Sequence, residues 1–298
     1  MFTYIFPTAA TSLMLGAGHT AANPAAWPAW VVMWTLALAI YGSLKGLTFA
    51  RADRHSGNAG RNQGWPRAAG YLLLWPGMDA DAFLGANSHT EKTNASRLAW
   101  ASAVARITLG FALIYAAAPL AIGHSELLAG WLGMTGLLMM LHCGLFDVLS
   151  LAWRRAGVEA PPLMNHPLWS TSLADFWGHR WNRAFRDVAH RYLFRPLLRP
   201  LGAAGATLTA FLFSGVVHDV VISLPAGGGY GLPTLYFVLQ GAGLLVERSK
   251  AGQRLGLRRG MRGRLFCAAV TIGPLGLLFH PPFVRGIIVP MLRAIGAL

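Results

Sequence analysis

WVVMWTLALAIYGSLKGLTFA, residues 30–50, decides the fold. It supplies about 20 largely apolar residues in succession, the length a helix needs to cross a ~30 Å hydrocarbon core. Its one charge, Lys45, lies close enough to the end of the run to snorkel toward the interface. Similar runs recur at 98–122, 127–151, 203–224, 230–247 and 265–283. Composition agrees: of 298 residues 54% are hydrophobic and 12% charged, against roughly a quarter charged in soluble domains. The chain therefore reads as an all-α, polytopic integral membrane protein, a single membrane-embedded domain over 1–298. About six to eight transmembrane helices are expected, with re-entrant or interfacial helices around a buried tunnel.

The remaining segments fit this plan. Residues 2–18, broken by Pro7, either span, lie in the interface or line a cavity. The N-terminus lacks the basic n-region of a secretory signal and is expected to stay in the mature protein. Residues 70–84 are too short to cross and contain Pro76 and Gly77, which predicts a re-entrant or interfacial element. The net charge of +14 falls in blocks at 51–67, 152–202 and 248–264, whereas 123–126 and 225–232 carry no Lys or Arg. Such blocks mark cytoplasmic loops before they mark nucleic-acid patches, so no nucleic-acid partner is expected. The polar segment within 152–202 should therefore face the cytoplasm.

Polar chemistry concentrates in two places. NHPLWSTSLADFWGHRWN, 165–182, sets Asp175, His179, Arg180 and Asn182 among Trp169, Phe176, Trp177 and Trp181, and FLFSGVVHDVV, 211–221, carries His218 and Asp219. If the 203–224 helix enters from the cytoplasm, His218 lies roughly 22 Å in, past the middle of the bilayer. It reads as a structural histidine, as a member of a proton relay with Asp219 and Asp147, or as a general base that takes a hydroxyl proton. Asn182 reads either as a helix cap or as a donor to a developing oxyanion. Of Trp169, Trp177 and Trp181, most are expected to be interface anchors. The arginines of 183–199 mark the inner leaflet and also suit a polyanion such as a coenzyme A nucleotide.

Several chemistries lose support. Cys143 and Cys267 lie in apolar runs, which argues against a disulfide framework or a Cys-type zinc site. The closest histidines, His179 and His190, are eleven residues apart, too far for a histidine-rich metal site. No Gly-x-Ser-x-Gly elbow or Walker loop occurs.

SLADFWGHRWN, 172–182, closely resembles the S-L-x-D-F-W-G-R-R-W-N signature of plant-type wax synthases, a branch of the membrane-bound O-acyltransferases. FLFSGVVHDV, 211–220, is similar to that superfamily's histidine helix, and YLLLWPGMDADAF, 71–83, to a segment of bacterial relatives; the resemblance covers roughly 65–285. It implies acyl transfer from acyl-CoA to a hydroxyl, with His218 as catalytic base and Asn182 paired with it. Asp175, Trp177, His179, Arg180, Trp181, Arg183 and Asp219 are the implied substrate-binding neighbours. The resemblance further implies acyl-CoA as co-substrate without a further cofactor or metal, and a lipophilic alcohol and membrane lipid as partners. One departure stands out: His179 occupies the place of the family's arginine. The alternative is a proton-coupled lipid or small-molecule transporter with His218 and Asp219 as relay. Acceptor, acyl length and oligomeric state stay open.

Overall fold

The computed structural model describes residues 27–55, 64–85 and 96–298; the undecided run 2–18 lies outside them. Among the described residues every regular element is helical. Five helices are long and apolar enough to cross a membrane: α1 over Ala29–Ala52, α2 over Arg97–Ile122, α3 over Glu126–Arg155, α4 over Arg183–Ala226, and a last one over Gly260–Leu278. Between the final two, Leu232–Arg248 forms a helix of 17 residues, roughly 25 Å long and thus nearly a turn short of the core thickness. In chain order this helix is α5 and Gly260–Leu278 is α6. All six apolar runs read from the sequence are therefore helices.

Packing follows from residue size. At the contact of α2 with α3, a Cβ on Gly110 would stand 2.6 Å from the carbonyl oxygen of Gly136, so the backbones approach as closely as small residues allow. Large apolar side chains such as Leu109, Phe111, Leu212, Phe213 and Leu265 point outward, where the surrounding lipid is as apolar as a core. In α4, Gly202 has φ 64 and ψ 176, breaking the helix two residues after Pro200. The upper limb therefore begins at the point where the apolar run 203–224 begins.

The 70–84 stretch folds as two short helical turns, Gly70–Leu74 and Ala80–Leu84, joined through Pro76 and Gly77. Neither can cross, as its length implied. Tyr71, Trp75 and Phe83 are buried there, with the Tyr71 and Phe83 rings 5.5 Å apart. Lys45 departs from expectation. It is 2% exposed, donates from Nζ to the Gly77 carbonyl at 2.5 Å, and sits 3.3 Å over the Tyr71 ring. The helix runs on to His55 rather than ending at 50, which leaves Lys45 nearly three turns inside, out of reach of the interface.

A second departure is the C-terminus. Pro281–Phe283, Val284–Ile288 and Val289–Ala294 turn back into the protein. Val284, Ile287 and Leu292 are fully buried, in one cluster with Ile114, Ile222 and Phe237. Buried His280 anchors this run: its Nδ1 accepts from Phe283 N at 3.2 Å and its Nε2 lies 3.1 Å from Ser223 Oγ.

Candidate active site

The motif segment is mounted on α5. Glu247, fully buried near the end of that helix, accepts from the backbone N–H groups of Leu173 and Ala174, two of the orphan donors at a helix start. From there the chain passes through the turn Leu173–Asp175 and a wide turn over Phe176–Arg180. It then reaches Asn182, which is left-handed at φ 40. That conformation strains most residues by about 1 kcal/mol or more, and asparagine tolerates it best after glycine. Crosslinks hold it: Asn165 N donates to Arg180 O at 2.8 Å and Arg183 N to Leu163 O at 3.0 Å. Arg180 clamps the same loop, with Nε donating to Asp175 Oδ2 at 2.6 Å and Nη1 to the Asn165 and His166 carbonyls.

Asn182 is a cap, as one reading of the sequence had it. Its Oδ1 accepts from Phe185 N at 3.3 Å at the start of α4. The use of one amide atom leaves Nδ2 without a hydrogen bond among the described residues, and Asn182 lines a cavity of about 700 Å³ that also includes His218. A pocket of that size lies in the range of small-molecule and cofactor sites.

His218 is oriented by its own helix. Its Nδ1 lies 2.7 Å from the Ser214 carbonyl oxygen. A carbonyl only accepts, so Nδ1 carries the proton, and in the neutral ring Nε2 keeps a free lone pair. The Phe237 ring of α5 packs 4.4 Å from the imidazole. α4 and α5 meet closely because a Cβ on Gly215 would stand 2.6 Å from Thr234 Cα. Only glycine fits there, three residues from the imidazole.

The other motif residues divide. Trp177 and Trp181 belong to the cavity wall, Trp177 standing edge-on to Phe211 at 5.5 Å and Trp181 stacked on Phe176 at 5.5 Å. Of the three tryptophans read mostly as interface anchors, Trp169, 61% exposed with Arg264 above its ring, fits that description, whereas Trp177 and Trp181, also named as substrate-binding neighbours, do not. Asp175 and Arg180 are spent on each other, Arg183 reaches the Pro162 carbonyl at 3.5 Å, and the His179 side chain is 74% exposed, 3.9 Å from Asp175. None of these four is on the cavity wall. Asp219 turns away as well: it accepts from Gly231 N at 2.8 Å, Thr234 N at 3.0 Å and the Thr234 hydroxyl, capping α5. Asp147 is paired with Arg106 at 2.8 Å.

Wall residues that the sequence reading passed over include Tyr41, His142, His190 and Arg248, while Arg186 was one of several arginines offered for a polyanion. His142 stands alone in an apolar run, the signal that drew attention to His218, and its Nδ1 is buried without a partner among the described residues.

The stretch carrying Asn182 and His218 is also what known proteins share with this chain. Residues 160–239 match the membrane bound O-acyl transferase family. The matched segment thus includes both polar wall residues, the Glu247 mount lying just beyond it. A long-chain-alcohol O-fatty-acyltransferase of Simmondsia chinensis is 32% identical over 142 residues, 43% of this chain and 40% of that protein. A probable long-chain-alcohol O-fatty-acyltransferase 9 of Arabidopsis thaliana is 32% identical over 142 residues, 43% of this chain and 42% of its own. An acyl-CoA–sterol O-acyltransferase 1 of Arabidopsis thaliana is 31% identical over 71 residues, 22% of this chain and 21% of its own. The match thus spans about two fifths of the length of the first two relatives, all three being plant proteins. No solved structure matches significantly. The resemblance to the wax-synthase-like branch, drawn from residues 172–182 and 211–220, is supported by these relatives.

Proposed function

We propose that this chain transfers an acyl group from acyl-CoA to the hydroxyl of a lipophilic alcohol, within the cavity between α1, α3, α4 and α5. The observation that carries the reading is the sharing of one cavity by His218, with Nδ1 committed to Ser214, and Asn182, with Nδ2 uncommitted. His218 Nε2 takes the alcohol proton as the alcohol oxygen attacks the thioester carbon. Asn182 Nδ2–H donates to the oxyanion that forms. Collapse of the tetrahedral species breaks the C–S bond, and the thiolate leaves with the proton from His218, giving ester and free CoA. General-base catalysis is worth roughly 10²–10⁴-fold and one oxyanion donor about 10²–10³-fold.

The largely apolar wall, with Phe146, Phe211, Phe237 and Leu244, suits an acyl chain and an alcohol arriving from the bilayer. The arginine-rich blocks support a cytoplasmic orientation of the basic end of the cavity. A proton relay is less well served, because Asp219 is bound to the start of α5 and Asp147 to Arg106.

Incubating the detergent-purified chain with acyl-CoAs of graded length and a panel of fatty, sterol and terpenoid alcohols tests the reading. Free thiol should appear in step with ester, only when both substrates are present. Absence of ester with every pair, or thiol release independent of alcohol, contradicts it.

A further inference from the structure

The proposed donor carries phosphates, and the sequence offered the arginines of 183–199 for them without choosing. The cavity wall narrows the choice, since Arg186 and Arg248 are its arginines among the described residues. Arg186 is already engaged, Nη1 donating to the Gly178 carbonyl at 2.8 Å and Nη2 to Asp187, although its Nε is buried without a partner among the described residues. Arg248 is different: its guanidinium is exposed and has no hydrogen bond or ion pair among the described residues. It also stands at the head of a block, 248–264, with seven basic residues and no acid.

We infer that Arg248 is the phosphate-recognising residue of this cavity, gripping the nucleotide end of a coenzyme A thioester with Arg186 beside the entry. The assignment rests on the acyltransferase reading and adds to it the anchor that sets the donor's register. Two features support it. Glu247, the preceding residue, is bonded to Leu173 N and Ala174 N, so the Arg248 backbone is fixed relative to the motif segment. Phe237, whose ring touches His218, lies eleven residues earlier on the same helix, about 16 Å along the axis. That separation is on the scale of an extended pantetheine arm, which in an acyl-CoA divides the thioester from the phosphates. A planar guanidinium gives phosphate two parallel hydrogen bonds, which an ammonium cannot.

The test compares hexadecanoyl-CoA with S-hexadecanoyl pantetheine, the same thioester without phosphates, on the full chain with a fatty alcohol. In Arg248→Ala the ratio of kcat/KM for the CoA donor to that for the pantetheine donor falls roughly ten- to a hundredfold, the worth of one charged hydrogen-bonding group. Arg248→Lys falls less. Arg262→Ala, an exposed arginine of the same block away from the wall, leaves the ratio as in wild type. Calorimetric binding of free CoA provides the second readout, with Kd raised by a similar factor in Arg248→Ala. An unchanged ratio, or an equal fall in Arg262→Ala, overturns the assignment. If wild type turns over neither donor, the acyltransferase reading fails, and CoA binding decides alone: a Kd raised only in Arg248→Ala supports the phosphate site, and an unaltered Kd or no binding overturns it.

Discussion

The imidazole of His218 donates a hydrogen bond from Nδ1–H to the backbone carbonyl of Ser214 at 2.7 Å. One turn of helix thus sets the tautomer, and no carboxylate is needed to orient the ring. Neighbouring Asp219 is free to do something else, and what it does is hold the start of α5.

That division predicts the behaviour of Asp219. Asp219→Asn keeps one acceptor for the α5 N–H groups and should retain most activity. Asp219→Ala removes the cap and should cost about 1 kcal/mol of stability, with activity falling only as far as the folded fraction does. Thermal midpoints and specific activities measured together check this. Abolition of activity in a folded Asp219→Asn would restore the relay.

The Glu247 mount gives a sharper contrast. Glu247→Ala leaves the N–H groups of Leu173 and Ala174 unpaired in a buried site, which should cost roughly 2–4 kcal/mol, about 1–3 for each orphaned group with partial relief from water. Glu247→Gln keeps one acceptor and should lose about half as much. Denaturation monitored by tryptophan fluorescence separates the two, and equal stability of both variants to wild type would show that the motif helix is held otherwise.

Gly215 bears on catalysis through packing alone. A methyl group there meets Thr234 Cα, and separating α4 from α5 moves His218 relative to Phe237. Gly215→Ala should destabilise by about 1–3 kcal/mol and lower turnover at least tenfold, because small misplacements of a catalytic group are costly. Wild-type kinetics in this variant would mean that the helix contact is looser than described.

His280 predicts a pH effect on stability. Burial lowers its pKa below the ordinary value, and its Nδ1 must stay unprotonated to accept from Phe283 N. The unfolded chain binds this proton more readily than the native one, so the contribution is complete above about pH 6.5 and declines as pH falls below it. The thermal midpoint should drop between pH 7 and 5, and the drop should be smaller in His280→Asn, which keeps an acceptor for Phe283. Identical pH profiles for the two proteins would refute this.

Much of the molecule was legible in the sequence because lipid imposes length. Six apolar runs became six helices, and the interrupted 70–84 stretch became two turns too short to cross. Hydropathy fails where both sides of a helix are apolar: it cannot tell a wall facing a cavity from one facing lipid. Trp177 and Trp181 were therefore read mostly as interface anchors, and became substrate-binding candidates only through the resemblance, while the buried run 284–294 drew no assignment. Lys45 was misplaced because the end of the apolar run was taken as the end of the helix. Within the candidate site, His218 was singled out by its polarity at depth and Asn182 by the polar motif segment around it, and both line the cavity. His142 gave the same signal and was passed over. Arg186 and Arg248 looked like every other arginine in their blocks, and only tertiary structure distinguishes the wall from the surface.

The central claim, that His218 transfers the proton and Asn182 receives the oxyanion, is tested most directly by single-turnover acyl transfer in His218→Ala and Asn182→Ala, beside acyl-CoA binding on the same preparations. Chemistry should slow by about 10²–10⁴-fold in His218→Ala and about 10²–10³-fold in Asn182→Ala, while acyl-CoA affinity changes severalfold at most. Asn182→Asp, which keeps the cap but loses the donor, should be as slow as Asn182→Ala and more stable. Near-normal turnover in folded His218→Ala contradicts the account.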